Sequence, residues 1–151
     1  MLASPTYGSA RNSFVGATYA FPLVNGYAGY GVNKGAFSSY LRNADNPYGY
    51  AVKPAAANFT ADSTDALVGA AVPLGPHTLL ASWIHKDDKT APDRDADQSA
   101  LGYRYTLSLR TNLYAVYARM DNKNGAPHML GNASDGGAGD RAVNLGISHA
   151  F

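Results

Sequence analysis

The side chains able to do acid–base, nucleophilic or metal chemistry are few: four His, no Cys, and acidic residues that are all Asp. His77, His85, His128 and His149 are scattered, and no two stand at the helical spacing of a zinc pair. No G-x-S-x-G turn is present to raise a serine nucleophile. Without Cys there is no disulfide, thiolate catalysis or common structural zinc site. The loop Asp87 to Asp97 contains a D-x-D-x-D run like the opening of a calcium loop. It lacks the Gly at the sixth and the Glu at the twelfth position, so it reads as a solvated acidic loop. Gly131 to Asp140 has the glycines of a phosphate cradle but no Lys-Ser/Thr close, and reads as a flexible loop. The residues predict no enzyme, no metal and no cofactor.

The elements that carry these residues are strands. Only 15% of the 151 residues are charged, against roughly 25% in ordinary soluble proteins. Tyr, Val, Thr, Gly, Asn and Asp dominate where a helical protein would use Glu, Gln and Lys. A net charge of +1 gives no field to draw the chain to nucleic acid. Apolar residues recur at every second position in seven segments, near 12–21, 24–33, 63–74, 77–86, 98–107, 112–121 and 141–151. The fifth is clearest, with Leu101, Tyr103, Tyr105 and Leu107 on one face and Gly102, Arg104 and Thr106 on the other. In the sixth either phase is tolerable, because Tyr114, Val116, Ala118 and Met120 compete with Leu113, Ala115, Tyr117 and Arg119.

The connections alternate in length. Short ones fall at Pro22-Leu23, Gly75-Pro76 and Ser108 to Thr111, and long ones at Lys34 to Asp62, Asp87 to Asp97 and Lys123 to Asp140. Tight turns on one rim and long polar loops on the other, joined by alternating segments of about 9–11 residues, are features of transmembrane β-barrels. A soluble sandwich or lipocalin-like barrel alternates too. Here, however, the face opposite the Leu, Val and Tyr is so rich in Gly, Ala, Ser and Thr that lipid outside and water inside accounts for both faces better. The start, Met-Leu-Ala-Ser-Pro-Thr, has neither the basic nor the apolar region of a secretory signal. The chain is therefore expected to be cytosolic or to lack its beginning.

Gly102 to Arg119, Asp121 to Ala126, and Asp140 to Phe151 with its ending Asn-Leu-Gly-Ile-Ser-His-Ala-Phe resemble the closing strands of general porins of the beta-proteobacterial type. Pro73 to Trp83 and Asn12 to Tyr19 resemble the preceding strand pairs of that family. The resemblance implies an all-β antiparallel meander, the carboxy-terminal seven strands of a 16-stranded outer-membrane barrel, with residues 1–11 a loop remnant. It also implies a homotrimer passing small hydrophilic solutes or ions by passive diffusion, set in outer-membrane lipid and lipopolysaccharide. The runner-up is a self-contained small barrel with a structural or adhesive role, which would need an eighth strand where Pro5 and Gly8 stand. A third reading is an inactive truncated product whose open edges aggregate.

Two sets of site residues follow. Lys86 and Arg104 share the polar faces of their strands, so in a barrel they point into the lumen and favour anions there, unless they are plain solvated residues. Phe151, with Val143, Leu145 and Ile147 at alternate positions before it, resembles the terminal signal read by the outer-membrane assembly machinery, which would bind by strand addition. Phe151 as a simple girdle aromatic is compatible with that. Arg110, at a short turn, is placed at the periplasmic rim, and Arg119 follows whichever phase its strand takes.

Overall fold

In a computed structural model of the chain, the structure describes residues 11–36, 60–126, 128, 130 and 140–151. Residues 1–10 of the loop remnant expected at 1–11, and 131–139 of the glycine-rich loop expected at 131–140, lie outside these residues, while Arg11 already belongs to the first strand. The rest is one sheet of β1 (Arg11–Ala20), β2 (Asn25–Ala36), β3 (Thr60–Leu74), β4 (His77–Asp88), β5 (Ala96–Ser108), β6 (Thr111–Asn122) and β7 (Arg141–His149). The strands lie in sequence order and every neighbouring pair is antiparallel.

Each short connection is tight for a local reason. At the β3–β4 turn Gly75 takes φ 61°, a left-handed conformation that only Gly enters cheaply, and Pro76 then fixes the next φ. No helix among the described residues is long and apolar enough to cross a membrane.

Register assigns every side chain to one of two faces. Val15, Tyr30, Val68, Trp83, Leu101, Tyr103, Tyr117, Leu145 and Ile147 share one face, which we term apolar. Pairing of Leu113, Ala115 and Tyr117 with Ile147, Leu145 and Val143 resolves the ambiguous phase of β6. It also sends Arg119 to the apolar face, at the long-loop rim opposite Arg141, where Asp121 accepts from its Nη2 at 2.8 Å.

Nothing covers the apolar face among the described residues. Leu101 is 64% exposed, Leu145 74% and Ile147 64%, and no large side chain among the described residues is fully buried. In a soluble β protein these residues would fill a closed centre. Toward the short turns the face ends in paired rings, Tyr19 with Phe21 at 4.6 Å and His77 with Tyr105 at 5.0 Å between centroids. Amphipathic rings at a strand end suit a membrane–water boundary.

The sheet differs from the expected pattern at its end. β7 stops at His149, and the Ala150 N–H donates to the Arg110 carbonyl at 2.9 Å. Phe151 lies beyond the strand, fully exposed, with its ring edge-on to His149 at 4.9 Å.

Candidate functional site

The polar face runs in rows across the sheet. One row holds Thr78, Arg104, Tyr114 and Gly146, and the next Leu80, Gly102, Val116 and Asn144. Nearer the long loops, Asp65 lies opposite Lys86. The two cations singled out from the sequence thus stand on this same face, in different surroundings.

Lys86 is compensated. Its Nζ donates to Ser63 Oγ at 2.8 Å and to Asp65 Oδ1 at 3.3 Å, while Asn33 Nδ2 donates to Asp65 Oδ2 at 2.6 Å and Ser63 Oγ at 3.2 Å. Arg104 donates from Nη2 to Thr78 Oγ1 at 3.3 Å, and no carboxylate among the described residues lies within ion-pair distance of it. A guanidinium held by a hydroxyl keeps its charge and most of its donors available for an anion.

The acidic loop after β4 spends its carboxylates on itself. Asp88 accepts from the Thr90 N–H at 3.0 Å, the Thr90 hydroxyl at 2.7 Å and the Arg94 N–H at 3.1 Å, and Asp95 accepts from the Asp88 N–H at 3.0 Å. The bond from the Thr90 N–H is an Asx-type turn, and those from the Arg94 and Asp88 N–H groups tie the ends of the loop together. No group of three or more His or Asp among the described residues is arranged to hold a metal ion.

Sequence periodicity gave no sign that part of the β6–β7 connection folds back onto the polar face. Asn122 Nδ2 donates to the His128 carbonyl at 2.7 Å, and Ala126 and Leu130 are each buried, as are Met120 and Ser63 on the polar face. Burial pushes the His128 imidazole below its ordinary range, and the nearby Lys86 charge acts the same way against the pull of Asp65 and Asp88. A His whose packed form resists protonation leaves the packing at full strength above about pH 6.5 and weakens it as pH falls toward the lowered value, because the released loop takes up the proton more readily. The protection of the amides at 123–126, 128 and 130, with exchange corrected for its intrinsic pH dependence, is therefore expected to fall from pH 8 to pH 5, and His128 should titrate below an exposed His by NMR. Exchange that follows only the intrinsic pH dependence would contradict this packing.

Sequence reading also missed the apolar part of the polar face. Tyr27, Leu67, Leu80 and Val116 surround a hollow of about 310 Å³ whose floor includes Gly69 and Gly102. Leu80 and Val116 interrupt the alternation, which is the signal that points to them.

Comparison with known proteins agrees with this architecture. The model of the Gram-negative porin family matches residues 4–125. The chain is 34% identical over 113 residues to an outer membrane porin protein of Bordetella pertussis, covering 74% of this chain and 26% of that protein. Its structure is similar to that of an anion-selective porin from Comamonas acidovorans, with a TM-score of 0.68 and 26% identity, over 95% of this chain and 40% of that one. The chain therefore spans about a quarter of the curated relative and two fifths of the solved one. An exposed apolar face, a polar face opposite it, a seven-stranded meander and a family match over most of its length agree, and the chain belongs to the Gram-negative porin family.

Proposed function

We propose that this chain forms part of the wall of an outer-membrane porin that passes small hydrophilic solutes by passive diffusion and favours anions. The observation that carries the reading is Arg104: a cation on the polar face, held by Thr78 and matched by no carboxylate among the described residues. The Comamonas relative is named as anion-selective. Fixed charge on a channel wall raises the local concentration of the opposite ion. No catalytic step belongs to this function.

β1 and β7 each leave one edge unpaired among the described residues. Further strands, to a total of 16, would close the barrel and remove both edges, and three such barrels would form the working trimer. Refolded alone in a planar bilayer, the chain is expected to give no stable porin-like steps; regular trimeric steps would overturn that. The apolar face would meet outer-membrane lipid and lipopolysaccharide. Val143, Leu145 and Ile147 on the edge strand, with Phe151 beyond it, would present the assembly machinery with an extended edge and a free aromatic.

The selectivity reading is tested on protein extracted as assembled from outer membranes. Under a salt gradient, Arg104→Glu is expected to move the reversal potential toward cations. A reversal potential equal to that of the unmodified protein would contradict the assignment.

A further inference from the structure

We propose that the hollow on the polar face binds small amphipathic monoanions, aromatic or short-chain carboxylates, as they pass along the wall. The proposal rests on the channel reading and names the solute class it would select. A wall that only had to let hydrophilic solutes by would gain nothing from Tyr27, Leu67, Leu80 and Val116 meeting around one depression. Its volume of about 310 Å³ is at the lower end of small-molecule sites, which are mostly apolar with a few placed polar groups. Gly69 and Gly102 keep it open. A Cβ at Gly102 would meet Leu80 Cβ at 3.3 Å and Val116 Cγ2 at 3.8 Å, so these two side chains stand close on either side of bare backbone.

The placed polar group is Arg104. It lies two residues beyond Gly102 on the same face of β5, about 7 Å along the strand, with Thr78 as its hydrogen-bond partner. At the opposite end, Leu67 is followed two residues back by Asp65, whose charge Lys86 already meets. Among the described residues the hollow thus has one uncompensated cationic end and one neutral end. A ring or short alkyl body can lie over Gly102 between Leu80 and Val116 while its carboxylate takes paired donors from the guanidinium. An inorganic anion would leave the apolar walls unused, and an organic cation would meet Arg104.

The test is ligand-observed NMR on the full chain embedded in lipid nanodiscs, with benzoate, acetate and benzylammonium as probes. Benzoate is expected to bind about tenfold or more tighter than either of the others. Arg104→Gln, which keeps a donor for Thr78, and Ala100→Leu, which fills the hollow from its lining, should each weaken benzoate about tenfold. Equal affinity for the three probes overturns the proposal, and so does benzoate affinity unchanged in both variants. The probe comparison on the unmodified chain decides the matter even where a variant fails to fold. Binding is read without conductance: a chain that prefers benzoate supports the site whatever it conducts, and protein extracted as assembled from outer membranes that then carries no current contradicts the channel reading alone. A conducting porin that treats benzoate and acetate alike contradicts the site alone.

Discussion

Leu101→Arg is expected to cost the membrane-embedded protein about 2–4 kcal/mol, the cost of a cation on the lipid side of a barrel near the bilayer midplane. Leu101 lies near the middle of β5, pairs with Ala81 and Tyr117, and is 64% exposed on the apolar face. Ala100→Arg, one residue away, points to the opposite face and is expected to change stability by only about 0.5 kcal/mol, as at a solvated surface. Because side chains alternate with a period of two, the pair holds depth and strand constant and changes only the medium met. Urea-dependent folding into phospholipid vesicles measures both. Equal penalties would mean that the two faces do not meet different solvents.

Gly146→Val is expected to destabilise the last strand pair by about 1–3 kcal/mol, the usual cost of overpacking. Gly146 lies directly opposite Tyr114, and a Cβ there would fall onto the Tyr114 ring, 2.8 Å from Cε1 and closer still to the hydroxyl end. The ring covers bare backbone on an edge strand that has no neighbour on its other side among the described residues. Tyr114→Ala should remove the clash, so Gly146→Val in that background is expected to cost much less than alone, a non-additivity that marks direct contact. Hydrogen exchange in β7 and urea midpoints of the four proteins give the cycle. Strict additivity would show that Tyr114 does not lie over Gly146.

What the sequence made legible follows from which interactions are local. Strand positions and the two faces of β5 were readable because alternation is a property of neighbouring residues, and Gly75-Pro76 announces its own turn. The phase of β6 was not, since Tyr114, Val116 and Met120 are as apolar as Leu113, Ala115 and Tyr117. Only pairing with Val143, Leu145 and Ile147 decides it. The difference between Lys86 and Arg104 was invisible for a similar reason, because Asp65 is 21 residues from Lys86 and meets it only across β3 and β4. The run Asp93, Asp95 and Asp97 shows the converse: its D-x-D-x-D pattern suggests a metal loop, yet Asp95 accepts from the Asp88 N–H and Asp97 lies 2.8 Å from His85 Nδ1. The hollow was hidden because Leu80 and Val116 lie against the alternation and come together only when β4, β5 and β6 are side by side. The fold-back at Ala126, His128 and Leu130 has no period to announce it.

Most directly, the account stands on which face meets hydrocarbon. The chain has no Cys, so single cysteines at positions 100 to 107 can each carry one spin label, and collision with oxygen or with a water-soluble nickel chelate reports lipid or water at each. The expected result is strict alternation, with oxygen dominant at 101, 103, 105 and 107 and nickel dominant at 100, 102, 104 and 106. The reverse phase, or water access at both faces along the whole strand, would contradict it.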